Sequence, residues 1–513
     1  MTRTLFLILA ATAALAQTRP IVKPKLILAV TLDQFRYDYL VRFRRDYTGG
    51  LDRLLTKGAV FTNAQYEHFP TVTAIGHSTF LSGAPPSTSG IIGNDWWDRE
   101  SGKTVTSVSD PQTRLLGAEA ANGSSPRRLL VSTLADELKT SGAKSRAIGI
   151  SWKDRSAILT VGHTADAAYW VHDSTGAVVS STFYFDDLPA WVKDFNATRP
   201  LDKYLGGEWN LAPFATKVRK MPSALGKDFV TAFEKTPWCS DMLEALAERA
   251  IVAEQLGKRD ATDVLAVSFS ANDYIGHDVG PDAPEVHAIS VHTDRLLDKL
   301  FRFVDTQIGM QNVVVVLTAD HGVAPLPELN ASRKMPGGRM KRAIIQDTVT
   351  ARLTEAFGPG KWIVSPSDHS LWYNRDVIRG KKLDEREVTR VAVRAARSVD
   401  HVARVYTREQ LIAGIATHDL VGRRIQNGYH HERGADLVIL LDPYWMYGTR
   451  GTTHGTPYMY DAHIPVIFMG PGIRPGRYRD RIAANDIAPT LAALLEIEPP
   501  SGSTGRVLGE ILF

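Results

Sequence analysis

Three short motifs in this chain set carboxylates or glycines beside imidazoles: Asp273-x3-His277, Asp320-His321, and His454 within the loop Gly451-Thr-Thr-His454-Gly455. A further carboxylate, Asp33, closes the apolar run 25–33. Aspartate and neutral imidazole are the oxygen and nitrogen donors of catalytic zinc sites, which keep one position open for water or substrate. A single strand-end Asp is ordinarily a helix cap and a single His ordinarily structural; here they recur together. The stretch 68–83 adds hydroxyls, with Thr71 and Thr73 after Pro70 at the start of a short helix whose first N–H groups either threonine can cap. A helix N-terminus is also where a phosphoryl group or an alkoxide is held favourably.

Strands must deliver these residues. The runs 25–33, 145–151, 263–270, 312–320 and 464–470 are continuously apolar, the pattern of strands buried on both faces. Helices are expected over 37–57, 132–141, 240–256 and 285–308, with a last one near 485–495. This alternation predicts an α/β fold, a mostly parallel central sheet with helices on both faces. Ligands bind such sheets at the carboxyl ends of the strands, so Asp33, Asp273 and Asp320 are expected on one rim. Two stretches lack clear periodicity, at about 165–225 and 325–450, and read as cap insertions into a single domain spanning 17–513.

Residues 1–16 carry one Arg, an apolar run and a small-x-small end at Ala14-Leu15-Ala16. The run is too short to span a bilayer and reads as a cleaved secretory signal peptide, giving a periplasmic or secreted protein. An apolar share of 44% and a charged share of 23% exclude disorder. The net charge of +4, one less without Arg3, argues against nucleic acid or an anionic membrane as partner. The single cysteine, Cys239, excludes internal disulfides and cysteine-based zinc sites.

The hydroxyl loop, Asp-x3-His, Asp-His-Gly and the late His-Gly occur in the order of the alkaline phosphatase superfamily, whose core is shared with nucleotide pyrophosphatase/phosphodiesterases. The chain most resembles the periplasmic, phosphate-irrepressible bacterial alkaline phosphatases that use a threonine nucleophile. Carried over by position, the resemblance implies two Zn²⁺ ions. One would be held by Asp273, His277 and His454, the other by Asp33, Asp320, His321 and the nucleophile's oxygen. The nucleophile would be Thr73, with Thr71 the alternative, because Asn94 follows Thr73 at the family's spacing. Asn94 would donate to a phosphoryl oxygen. Lys153 and Arg155 would neutralise the second charge of a phosphate monoester, the arginine as a fork.

The activity so implied is hydrolysis of small phosphate monoesters through a phospho-threonine, by an enzyme expected to be a monomer. The nearest rival is a phosphodiesterase or nucleotide pyrophosphatase with the same metals. From another class, an inactive metal-binding surface protein would keep the ligands without turnover. A sulfatase is disfavoured because Cys239 sits outside the required C/S-x-P-x-R motif. His77 and His463 read as structural or supporting, and His430-His431 as an exposed loop pair.

Overall fold

The computed structural model describes residues 23–119, 122–367 and 369–513; the signal-peptide reading of 1–16 lies outside the described residues. Strand β1 (Leu26–Leu32) is wholly buried, as an unbroken apolar run requires in a sheet covered on both faces. Around it lie β2 (Ala59–Gln65), β3 (Ala147–Ser151), β4 (Ala167–Val171), β5 (Val178–Ser181), β6 (Asp263–Phe269), β7 (Val313–Thr318) and β8 (His463–Met469). Their spatial order is β2-β8-β7-β1-β6-β3-β4-β5, with short edge strands beyond each end. Pairing is parallel from β7 through β1, β6 and β3 to β4, whereas β8 runs antiparallel to both neighbours and β5 to β4. Strands β4 and β5, inside the stretch read as an insertion, therefore extend the main sheet.

Register brings the chemistry to one rim. Thr31 pairs with Ser268 on one side and Thr318 on the other, and Ser268 pairs with Ser151. Asp33, Lys153 and Asp320 each follow this row by two residues, so three separate strands deliver them to the same edge. Asp273 arrives one helical turn later, on α3 (Ala271–Val279). With α1 (Thr73–Ser82) and α2 (Asp154–Val161), this helix frames the rim.

The helix expected over 37–57 is broken. The chain forms Tyr37–Arg42, a short 3-10 turn at Arg44–Asp46, and a second helix at Gly50–Lys57. Buried Asp294 is the reason, because its carboxylate accepts from the N–H groups of Thr48, Gly49, Leu51 and Asp52 and caps the second helix from a distance. A separate antiparallel sheet of Ile363–Pro366, Ser370–Tyr373, Leu437–Leu441 and Val402–Thr407 forms above the rim. It has its own apolar cluster, centred on Trp362, Val349, Val388 and Leu437. Among the described residues, no helix is long and apolar enough to cross a membrane.

Candidate active site

Asp33, Asp273, Asp320, His321 and Thr73 are all at most 3% exposed and lie together at the rim. The histidines share one arrangement. Nδ1 of His277, His454 and His321 faces a backbone carbonyl, of Thr452 at 2.8 Å, Thr71 at 2.8 Å and Gly322 at 3.0 Å respectively. A carbonyl only accepts, so each Nδ1 carries the proton and donates it. In the neutral rings Nε2 is then a lone pair, and it faces the carboxylates: His277 Nε2 is 3.2 Å and His454 Nε2 3.8 Å from Asp273 Oδ1. His321 Nε2 is 3.5 Å from Asp33 Oδ1 and 3.3 Å from Asp320 Oδ2. Those last two oxygens are buried with no hydrogen-bond partner, a costly state that a cation would relieve.

Among the described residues, two groups of side chains converge closely enough to hold a metal ion: Asp273, His277 and His454, and Asp33, Asp273 and His321. The first is the set expected from sequence. The second has Asp273 where Asp320 was expected. Lys153 Nζ binds Asp33 Oδ2 at 2.7 Å and Asp273 Oδ2 at 2.6 Å and draws those carboxylates together, while the Gln34 N–H holds Asp320 Oδ1 at 3.0 Å. Asp320 remains adjacent through Oδ2.

The electrostatics follow. Burial opposes charge on Lys153, but Asp273 and Asp33 outweigh it and hold the ammonium well above its usual value. Burial would raise Asp273, yet Lys153 and His277 bring it well below the carboxylate range. Asp320 goes the other way, pushed up by burial and by the charge on Asp33. Burial opposes charge on His277 as well, and Asp273 reverses this to about 9. His321 is lowered to about 4 by burial, and burial with its two histidine neighbours puts His454 well below its usual value.

Thr73 is the first residue of α1, and its Oγ1 lies 3.5 Å from His321 Nε2. Neither threonine caps the helix as expected. The N-cap is Val72, with no side-chain cap, and the Ala74 N–H donates instead to Asn94 Oδ1 at 2.9 Å. Thr71 Oγ1 is committed elsewhere, donating to the Thr456 carbonyl at 2.8 Å. Helix α1 reaches the rim because Gly76 has no side chain: a Cβ there would lie 2.3 Å from the Asp320 carbonyl oxygen. Gly76→Ala is accordingly expected to push α1 outward, lower stability by about 1–3 kcal/mol as overpacked cores do, and reduce turnover. Thermal unfolding and rate measurements check this together.

Arg155 stands apart from the carboxylates. Its Nε is buried without a partner and its nearest acid is Asp154, at 3.9 Å. His77 donates to or accepts from Ser268 Oγ and faces the Thr73 carbonyl, and His463 faces the Thr62 carbonyl, both supporting positions. His430, expected in an exposed loop pair, is instead only 4% exposed, because the cap loop folds it inward, while His431 stays at the surface.

Sequence reading missed Gln34. Its backbone adopts a left-handed φ of 59°, unusual for a side chain of this type and characteristic of constrained sites. In that pose its N–H reaches Asp320 and its Nε2 donates to Asp273 Oδ1 at 2.7 Å. Tyr274 was missed as well; its ring lies 4.9 Å beneath Lys153 Nζ. Neither has a local signal beyond adjacency to Asp33 and Asp273.

A cleft of about 700 Å³ adjoins the site, lined by Asn94, His277 and His454 together with Trp372 and Gln346 of the cap. A second cleft, of about 730 Å³, lies around Tyr204 and Asp241 and contains none of these groups.

Residues 27–463 match the family model for type I phosphodiesterase / nucleotide pyrophosphatase. Alkaline phosphatase PhoV of Synechococcus elongatus is 36% identical over 96% of this chain and 94% of its own. A Myroides odoratus protein named calcium-transporting ATPase is 35% identical over 96% and 95%. Alkaline phosphatase PafA of Elizabethkingia meningoseptica is 32% identical over 97% and 96%. A PafA crystal structure superposes with a TM-score of 0.90, covering 96% of this chain and 100% of that one. A PafA variant has also been solved with a threonine, an asparagine, a lysine and an arginine replaced. Those four stand in the chain order of Thr73, Asn94, Lys153 and Arg155, with the same separation within the first pair and within the second. Likeness of this extent makes the chain a member of the type I phosphodiesterase / nucleotide pyrophosphatase family, within the alkaline phosphatase superfamily.

Proposed function

We propose that this chain is an exported, zinc-dependent alkaline phosphatase that hydrolyses small phosphate monoesters through a phospho-threonine on Thr73. The observation that carries this reading is the inward set of three imidazole Nε2 atoms against three buried carboxylates, with the Thr73 hydroxyl at its edge. Asp273, His277 and His454 would hold one metal; Asp33, Asp320, His321 and Thr73 Oγ1 the other, with Asp273 close to both. Zinc suits this nitrogen and oxygen donor set. Two such ions, when bound, would supply Lewis-acid stabilisation of the oxygens that attack and leave phosphorus.

The protein's own residues do the rest. Thr73 Oγ1 forms the new bond to phosphorus as the ester P–O bond breaks and the alcohol departs. Water then attacks phosphorus, the Thr73–phosphorus bond breaks, and the hydroxyl is regenerated. Asn94 keeps its carbonyl on Ala74, which leaves its NH₂ for a phosphoryl oxygen. Arg155, and Lys153 from its place between Asp33 and Asp273, would bring positive charge to a dianion, and fixed charges in a dry site are worth far more than in water. The catalytic domain spans 17–513, with the 325–450 segment as its cap.

The diesterase reading predicts the opposite charge preference, since a diester carries one negative charge. Measured kcat/KM should favour an aryl phosphate over its methyl diester, and a preference for the diester overturns the proposal. Replacing both Lys153 and Arg155 by alanine is expected to cost about 100- to 1,000-fold on the monoester, with a much smaller loss on the diester. Turnover of any phosphate ester that depends on Thr73 sinks the inactive-binder reading.

A further inference from the structure

Thr71 is left without a chemical role when Thr73 is the nucleophile, yet it is fully buried and bonded at both ends. Its carbonyl accepts from His454 Nδ1 at 2.8 Å, and its hydroxyl donates to the Thr456 carbonyl at 2.8 Å. Thr456 is in turn held by Asp461, whose Oδ2 accepts from the Thr456 N–H at 2.8 Å and from its Oγ1 at 2.6 Å. Asp461 is fully buried, and its backbone carbonyl accepts from the Gly322 N–H at 2.7 Å, next to His321. Four segments are tied in sequence: the nucleophile loop, the His454 loop, the Asp461 turn and the Asp-His-Gly loop.

We propose that Asp461, Thr456 and Thr71 form a positioning relay that fixes the tautomer and orientation of His454, a ligand of the metal group that lacks the Thr73 hydroxyl and that would therefore face the departing alcohol of an in-line displacement. The proposal rests on the metal-site reading above. The logic is local. The Thr71 carbonyl keeps the proton on Nδ1 of His454, so Nε2 points toward Asp273 as a lone pair. That carbonyl can hold its angle only if the peptide is anchored, and the Thr71 hydroxyl is the anchor. Its acceptor lies on a loop that also carries Gly455, at a φ of 111°, so the loop needs an external brace. Asp461 supplies it from the end of a short helix, Met459–Ala462, packed against β8. Arg424, buried in the cap, adds a second brace by donating to the Pro457 carbonyl and to Gln65 Oε1, each at 2.6 Å. None of these residues touches the reacting atoms.

The test uses the full-length zinc-loaded protein and two readouts, zinc retained against rising chelator and the dependence of kcat/KM on leaving-group pKa across aryl phosphates. Thr71→Val keeps the size and loses the anchor. It is expected to release one zinc per chain at about 10- to 100-fold lower chelator, the usual cost of losing a partner of a metal ligand. It should also slow poor leaving groups more than good ones. Thr71→Ser keeps the hydroxyl and should match the parent in both. A loss of active molecules alone scales every substrate equally, so a steeper leaving-group dependence separates positioning from partial unfolding. Asp461→Leu removes the far end of the relay without changing the metal site and should move both readouts the same way. Parent-like retention and slope in Thr71→Val, or in Asp461→Leu, overturns the relay. Equal shifts in Thr71→Val and Thr71→Ser overturn it too, because the hydroxyl would then be irrelevant. Zinc retention is read without turnover, so this outcome is independent of whether Thr73 is the nucleophile.

Discussion

Thr73→Ala is expected to lower kcat/KM for an aryl phosphate by about 10,000-fold or more, the scale at which removing a nucleophile acts. The substitution should do little else. Thr73 is the first residue of α1, and its side chain caps nothing, since the N-cap is Val72 and the Ala74 N–H is held by Asn94. Alanine is the best helix former, so α1 should stand. The carboxylates and imidazoles of both metal groups remain, and zinc content should therefore be retained. Lost turnover in a folded, zinc-loaded protein would place the chemistry on the hydroxyl. Thr73→Ser should keep the reaction, and mass spectrometry of acid-quenched protein should find a phosphoryl group on the peptide carrying Thr73. Activity within tenfold of the parent in Thr73→Ala would remove it as nucleophile, and Thr71, tied to Thr456, offers no ready substitute.

Stripping metal is the second large effect. Complete chelation should abolish turnover and lower the unfolding temperature, and restored zinc should recover both. The physical reason is charge density. Three buried carboxylates converge here, and among the described residues only Lys153 ion-pairs with them as a permanent cation. Buried like charges in this arrangement destabilise the fold unless cations or protons compensate; burial and then the charge on Asp33 already push Asp320 toward its protonated form. A ligand bound only by the folded state adds about 2.7 kcal/mol at a hundred times its Kd, so two ions should raise the melting temperature measurably. Full activity in protein shown by elemental analysis to be metal-free would overturn the metal reading.

Much of this was legible in the sequence. The strands were visible because a two-face-buried strand must be an unbroken apolar run, as β1, β6 and β7 are. The chemistry was visible because Asp, His, Thr, Lys and Arg announce their donor types wherever they sit. Direction was not: β8 is as apolar as its neighbours and runs the other way, since hydrophobicity carries no polarity along the chain. Nor was the break at Thr48–Gly49, which depends on Asp294, some 245 residues away.

By itself, then, the sequence determined the inventory: an α/β sheet, a set of oxygen and nitrogen donors near strand ends, and two threonines at a helix start. Only the tertiary structure decided how they are used. Register put Asp33, Lys153 and Asp320 on one rim, and Gly76 let α1 close on Asp320. Backbone carbonyls turned three Nε2 atoms inward, Gln34 bridged Asp273 and Asp320 through a left-handed turn, and Thr71 was bonded away from the chemistry. The physical reason is the range of the interactions. Propensity and burial act over a few residues and leave a local trace, whereas hydrogen bonds and charges join whichever groups the packed sheet brings within 3 Å, whatever their distance in sequence.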